Sequence, residues 1–263
     1  MMPTVQFFDR TLPSYGVFGM IGFLVSIILL FMLSKIHDKS FSDSFYVYIL
    51  GFLGLIAGAK ILYIVIMLPD MIKDVYLLNS DKQLFFMKYI RSGMVFYGGF
   101  IGCLISALIA LKYYNLNKWE FYPIIIPSYL CFAAFGRLGC FCTGCCYGKP
   151  TSSMFGVVFS NSLIAPHDVA LIPTQIIEAL FDILLLIFIC FLSKKYNLKK
   201  YLLDIYVLAY AVFRFVLEFF RGDSKRGFIL FLSVSQWISI VLLVCIFVRY
   251  ILIKVDMRRN NRK

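Results

Sequence analysis

The run YGVFGMIGFLVSIILLFMLS, residues 15–34, decides the fold. It carries no charge over a length that matches a bilayer. A spanning helix needs about 20 mostly apolar residues, because each residue rises about 1.5 Å and the hydrocarbon core is about 30 Å thick. Similar runs recur outward from it at 45–68, 95–111, 119–135, 174–192, 202–219 and 228–253. The sequence therefore predicts an all-α, polytopic membrane protein of about seven transmembrane helices. Composition agrees: the 263 residues are 61% hydrophobic and 15% charged, where a soluble domain carries about 25% charged residues. No segment between the runs is long enough for a separate soluble domain, so residues 1–263 read as a single membrane-embedded domain. Residues 1–14 are not expected to be a removable leader, since they show no charged n-region followed by an apolar core and a small-residue cleavage site. Pro123 and Pro127 are expected to kink or delay the fourth span.

The formal charge of +12 does not point to nucleic acid. The Lys and Arg residues sit mostly between apolar runs, where they meet lipid headgroups and set topology. No basic face with interleaved aromatics stands clear of the spans, so no nucleic-acid partner is expected. Lys194, Lys195, Lys199 and Lys200 lie in one connection. The C-terminal tail adds Lys254, Arg258, Arg259, Arg262 and Lys263. Keeping these groups on the cytoplasmic side puts the N-terminus outside and the C-terminus inside. Of the connections that then face outward, two are unusually long. Residues 69–94, with Asp70, Lys73, Asp74, Asp81 and Lys82, read as an amphipathic interfacial arm. Residues 136–173 read as a functional loop.

Ionisable residues inside a span are costly and suggest function. Lys60 follows Gly58 and Ala59 in the second span, and small neighbours let another helix approach. Arg214, Glu218 and Arg221 fall at i, i+4 and i+7 and share one helical face. Glu218 can hold the Arg214 guanidinium in place, and a deep guanidinium can grip a phosphate bidentately. Pro173 marks a helix start, and Gln175, Glu178 and Asp182 follow on one face. Ser233, Ser235 and Gln236 open the last span. Hydrogen bonding between helices is the plain reading of Gln236, Asp182 and Lys60.

The segment FGRLGCFCTGCCYGKPT, residues 135–151, carries four glycines that permit close approach to a ligand. Arg137 can add a second phosphate contact. Gly93 to Gly102 is a similar permissive stretch and includes Tyr97, Gly98 and Gly99. Cys142 and Cys145 form a C-x-x-C, but no second pair and no nearby His completes a zinc site, so no metal is expected. A disulfide using Cys140 or Cys142 and simple close packing are the other readings of the loop thiols. Cys103, Cys131, Cys190 and Cys245 lie in spans and read as apolar filler.

Taken in order, these segments resemble the bacterial prolipoprotein diacylglyceryl transferase family over nearly the whole chain. Ser14-Tyr15-Gly16 is similar to that family's Trp-Tyr-Gly. Gly58 to Tyr63 resembles its Gly-x-Arg-x-x-Tyr, with Lys60 in place of Arg. Ser92 to Gly102 resembles its Ser-Gly-Met-Ser-Phe-His-Gly-Gly, with Tyr97 in place of His. Gly136-Arg137-Leu138-Gly139 opens its signature loop and Gly148-Lys149-Pro150-Thr151 closes it. Cys140, Thr143 and Cys145 stand where that loop carries Asn, Asn and Glu. Pro173-Thr174-Gln175-x-x-Glu178, Arg214-x-x-x-Glu218-x-x-Arg221 and Leu232-Ser233-x-x-Gln236-x-x-Ser239 match the remaining motifs.

The resemblance implies a reaction in which the diacylglyceryl group of phosphatidylglycerol moves to the lipobox cysteine of a prolipoprotein, presented by its signal peptide, in the bacterial cytoplasmic membrane. It implies no cofactor. It casts Arg137 and Arg214 as holders of the lipid phosphate, Glu218 as orienter of Arg214, and Tyr15 as part of the lipid cavity. Tyr97 takes the place of the family's base, and a phenol (reference pKa ~10) is a poorer base at neutral pH than imidazole (~6.5). Substrate contacts are expected from Lys60, Gly98, Gly99, Gly139, Thr143, Gly144, Gly148, Gln175 and Arg221. Two other readings stay open. One is a divergent paralogue that binds an anionic phospholipid but uses another acceptor. The other is a non-catalytic membrane protein that binds thiols or lipid.

Overall fold

The computed structural model describes residues 3–7, 10–76, 80–91, 93–162, 164–222 and 228–260. Ser92, Arg262 and Lys263, which entered the sequence reading, lie outside them. In chain order the elements begin with strands β1 (Thr4–Phe7) and β2 (Arg10–Pro13), then helices α1 (Ser14–Ile36), α2 (Phe41–Lys73), α3 (Lys82–Phe85), α4 (Phe96–Tyr113) and α5 (Lys118–Thr143). Strands β3 (Val157–Val158) and β4 (Ala170–Leu171) precede α6 (Thr174–Ser193) and α7 (Leu202–Leu217). Strands β5 (Phe228–Ile229) and β6 (Leu232–Ser233) precede α8 (Val234–Asn260). The chain divides into two compact units, residues 1–37 with 122–263, and residues 38–121.

Among the described residues, six helices are long and apolar enough to cross a membrane: α1, α2, α4, α5, α6 and the α8 portion Val234–Leu252. The remaining predicted span is α7, which has 16 residues, or about 24 Å. A 3-10 turn over Glu218–Phe220 prolongs it. The helices turn apolar side chains outward, among them Leu24, Ile28, Ile105, Leu184 and Phe247. Small and polar groups such as Ser26, Ser34 and Ser128 are buried instead. Lipid tails are as apolar as the protein interior, so large hydrophobic residues gain nothing by facing inward. Buried serines bond back to their own helix, as Ser34 Oγ does to Leu30 O at 2.7 Å and Ser128 Oγ to Ile124 O at 2.8 Å.

Several boundaries differ from the sequence expectation. α5 runs through Pro123 and Pro127 and continues past residue 136, where a loop was expected, to Thr143. Its end is a Schellman turn: Cys145 N–H donates to Cys140 O at 3.1 Å and Gly144 N–H to Phe141 O at 3.2 Å. Gly144 adopts φ +72°, as this cap requires. α2 likewise runs through Pro69 to Lys73, which shortens the arm expected from residue 69. The last span was expected from residue 228. Instead a short β5–β6 hairpin comes first, and α8 starts at Val234 behind a reciprocal cap. Gln236 N–H donates to Ser233 Oγ at 3.2 Å, and Ser233 N–H to Gln236 Oε1 at 2.9 Å. Gln236 is thus one half of a capping box, a role not expected of it.

In the unit of residues 38–121, α2 packs against α4 through small residues. A Cβ added to Gly58 would lie 2.2 Å from Gly98 O, and one added to Gly98 would lie 2.4 Å from Gly58 O. The arm folds as α3 followed by a π-helical turn over Phe86–Arg91. Leu84, Phe86 and Met87 are exposed while Phe85 and Tyr89 are buried, the two-sided pattern expected of an interfacial arm. Asp74 ties the arm to the end of α2, accepting from Lys88 Nζ and from Tyr89 Oη, each at 2.6 Å. Those two hydrogen bonds, the one from Lys88 foremost, hold the Asp74 carboxyl below its usual range.

Candidate functional site: a guanidinium cluster on Glu178

Three arginines of the first unit collect around one buried carboxylate. Glu178, in the second turn of α6, has a side chain only 1% exposed. Its Oε1 lies 2.6 Å from Arg137 Nη2 and 3.2 Å from Arg214 Nη1. Its Oε2 lies 4.0 Å from Arg221 Nη1. Arg214 Nη2 also pairs with Glu218 Oε2 at 3.1 Å, the i, i+4 pair expected from the sequence. The Tyr210 hydroxyl donates to Glu178 Oε1. Removed from water, a guanidinium or carboxylate must be paired, and here α5, α6, α7 and the segment after α7 each supply part of the pairing.

Arg221 reaches the cluster by a different route from the one predicted. The helix stops at Leu217 and Arg221 is extended, with φ −79° and ψ 141°, so it does not continue the face of Arg214 and Glu218. It forms an isolated antiparallel bridge with Gly148. Gly148 N–H donates to Ile172 O at 2.9 Å and Lys149 N–H to Phe220 O at 2.8 Å. The 147–150 segment is thereby held between two backbone neighbours. A Cβ on Gly148 would meet Ile172 O at 2.6 Å and Phe220 O at 2.9 Å, so the close approach is to protein backbone.

The start of α6 completes this wall. Thr174 Oγ1 donates to Cys146 O at 2.7 Å, and Gln175 Nε2 donates to Cys145 O at 2.7 Å. The Gln175 Oε1, Asp182 Oδ1 and Arg214 Nε atoms are buried with no hydrogen-bond partner among the described residues. On the other side, Gly139 packs against Tyr15: a Cβ there would lie 3.2 Å from Tyr15 Cα and from Phe18 Cβ. Thr143 Oγ1 bonds back to Gly139 O and Cys140 O, each at 3.1 Å.

The loop cysteines are thiols, and the C-x-x-C pairing is not the one the fold makes. The Sγ atoms of Cys140, Cys145 and Cys146 lie within 4.8 Å of one another, and Cys142 is not among them. The Schellman turn brings Cys145 back over Cys140, and Cys146 follows with φ +63°. Cys142, two residues beyond Cys140 on the helix, points to another face. Hydrogen bonds from the Cys140 and Cys145 thiols, helped by the Arg221 and Arg137 charges, hold the Cys146 thiol well below the usual range.

The other expected site residues belong to the second unit. Tyr97 is buried in the first turn of α4, edge-on to Phe96 with ring centroids 5.9 Å apart. Gly98 packs on Gly58 as described, and Gly99 faces Leu55 O, 3.1 Å from where its Cβ would stand. Lys60 Nζ donates to Tyr89 O at 3.2 Å and stands 4.8 Å over the Tyr63 ring. Glu178 was placed in a motif by the sequence but not in the site. Its signal was an acid in the first turns of a span, in a chain whose buried arginines outnumber a single predicted partner.

The apolar helices and this buried cluster define a multi-pass membrane protein with guanidinia and carboxylates paired away from water. Residues 4–252 match the family described as prolipoprotein diacylglyceryl transferase. The chain belongs to that family. It is 36% identical over 239 residues to a phosphatidylglycerol–prolipoprotein diacylglyceryl transferase of Clostridium tetani (strain Massachusetts / E88), covering 91% of this chain and 92% of that one. It is 34% identical over 245 residues to a protein called phosphatidylglycerol–prolipoprotein diacylglyceryl transferase 2 in Clostridium perfringens (strain 13 / Type A), covering 91% and 90%. A relative of the first name in Rickettsia felis (strain ATCC VR-1525 / URRWXCal2) is 34% identical over 200 residues, covering 73% of this chain and 72% of its own.

Proposed function

We propose that the protein transfers the diacylglyceryl group of phosphatidylglycerol to the lipobox cysteine thiol of a prolipoprotein. The observation that carries this reading is the convergence of Arg137, Arg214 and Arg221 on Glu178. Three guanidinia gathered at the carboxylates of Glu178 and Glu218 are suited to receive a phosphodiester. Arg214 Nε is a buried donor that no acceptor among the described residues uses. In the reaction the acceptor thiol gives its proton to water, its sulfur attacks the glyceryl carbon, the C–O bond to phosphate breaks, and glycerol phosphate leaves with the bonding pair. The guanidinia stabilise the charge that grows on the leaving phosphate, and Glu178 and Glu218 fix their direction.

Tyr15 and Gly139 would border the diacylglyceryl chains. Thr143, Gly144, Gly148, Gln175 and Arg221 would shape the wall that faces the headgroup. Tyr97 is assigned a hydrogen-bond-donating role at the position of the family's His, Lys60 the role of the family's Arg, and Gly98 and Gly99 the tight helix start beside them. We place the chain in the bacterial cytoplasmic membrane with its N-terminus outside, which the tetralysine connection and the basic tail support. The departures at Tyr97, Cys140, Thr143 and Cys145 favour, as a second reading, a paralogue that takes another acceptor.

Complementation of a transferase-depleted bacterium, scored by lipidation of a reporter prolipoprotein, separates the two. Lipidation that disappears in Arg214→Ala supports the transferase. An inserted, stable protein that lipidates no reporter, in a host where a known transferase does, points to the other acceptor.

A further inference from the structure

The cysteine cluster has a composition and spacing that the transfer reaction, as drawn above, does not use. Three thiols from one turn face a common point with their sulfurs within 4.8 Å. The Sγ atoms of a tetrahedral zinc site stand about 3.8 Å apart, given Zn–S bonds of about 2.3 Å. Side-chain rotation of the two loop residues closes the difference, because Cys145 and Cys146 lie beyond the helix end while Cys140 is fixed in α5. The group contains no fourth His, Cys, Asp or Glu among the described residues. Structural zinc sites close with four protein ligands, whereas sites with three keep a position open for a reacting group. The site also adjoins the guanidinium cluster through backbone: Cys145 and Cys146 carbonyls are held by Gln175 and Thr174, at the start of the helix that carries Glu178.

We propose that Cys140, Cys145 and Cys146 form a site for one thiophilic divalent cation, Zn²⁺ in chemistry, whose fourth position takes the acceptor's cysteine sulfur. This rests on the transferase reading for the identity of the fourth ligand. Coordination releases the acceptor's thiol proton to water and holds a thiolate, the nucleophilic form. That sulfur displaces the phosphate oxygen at the glyceryl carbon, and the bonding pair leaves with glycerol phosphate. The thioether product binds the cation weakly and departs. A metal-held thiolate supplies the deprotonation for which the phenol of Tyr97 is ill suited.

The test uses the full-length protein in detergent, reduced and metal-free, titrated with Cd²⁺ and followed by thiolate-to-metal charge-transfer absorption. Wild type and Cys142→Ser bind one equivalent with affinities within about 2-fold of each other, while Cys140→Ser, Cys145→Ser and Cys146→Ser lose at least about 100-fold. A lipobox peptide with cysteine raises the absorption by about one third, as three thiolates become four, and its serine analogue does not. Maleimide footprinting of the unmutated protein needs no variant: Zn²⁺ protects Cys140, Cys145 and Cys146 and leaves Cys142 reactive. Binding that ignores the three substitutions, or protection that includes Cys142, overturns the site. No increment with the cysteine peptide overturns the fourth ligand. Lipidation that survives Cys146→Ser and chelation removes the cation from the reaction and leaves the transferase reading standing. Absent lipidation by a protein that binds Cd²⁺ as described removes that reading and leaves the three-thiol site.

Discussion

Arg137 Nη2 and Glu178 Oε1 meet at 2.6 Å, from the end of α5 and the beginning of α6, with side chains 11% and 1% exposed. Because Glu178 serves two further guanidinia, removing it leaves like charges facing one another out of water. Glu178→Gln is expected to destabilise the protein by about 3–5 kcal/mol, and thermal unfolding in detergent measures it. Glu178→Asp, which keeps the charge, recovers part of the loss.

Arg214 is placed to grip two partners through a fork. Arg214→Lys keeps the charge and loses the bidentate geometry. Lipidation is expected to fall about 100- to 1,000-fold, with the protein still inserted. A lipidation rate equal to wild type would mean that charge alone suffices.

Gly144 ends α5 in the left-handed region, and a Cβ there would stand 2.3 Å from Ser162 Oγ. Gly144→Ala is expected to cost at least about 1–2 kcal/mol for the backbone alone. Ser162 itself has work to do, since its Oγ donates to Thr143 O and accepts from Ile164 and Ala165 N–H. The variant's melting temperature checks the prediction, and Gly144→Asn, better tolerated in this conformation, should fall less.

The arm's attachment depends on pH in a definite direction. Asp74 has a depressed carboxyl pKa in the folded protein, so its contribution is complete above the unfolded value of about 3.9 and is lost as pH falls through the folded one. The Lys88 ammonium is raised by the same contact, so its contribution is complete below about 10.4 and is lost as pH rises through its folded value. Protection of the amides of residues 80–91, measured relative to intrinsic exchange at each pH, is therefore expected to be greatest between these limits and to fall in acid. Asp74→Asn should flatten the acid limb.

Spans and motif order were legible because hydropathy reports length and a lipid-facing helix needs little else. The Arg214–Glu218 pair was legible because four residues is a local distance. Glu178 as the hub was not, since its partners lie on other segments and spacing says nothing about which helices meet. The Cys140–Cys145–Cys146 grouping turns on whether the helix ends at 136 or 143. Glycines 136 and 139 suggested the earlier end, yet an apolar helix flanked by packing partners tolerates them, and the stop came where a left-handed residue could complete the cap. Gln236 was misread for a related reason: a polar residue at the head of a span can bond locally or across helices, and the sequence does not choose.

Glu178 and Arg214 lie 36 residues apart in sequence, near the start of α6 and the end of α7. A guanidinium or carboxylate delivered alone to the middle of the bilayer costs about 2.5–3.5 kcal/mol on insertion scales. These two neutralise each other only when both helices are in place as an antiparallel hairpin, with the Phe181 and Phe213 rings stacked at 3.7 Å beside them. During synthesis Glu178 can first meet Arg137, already delivered by α5, so it is Arg214, arriving last on α7, that depends on a carboxylate being in place. The carboxylate that organises the finished site is thus also the partner that lets Arg214 leave water as one of a pair.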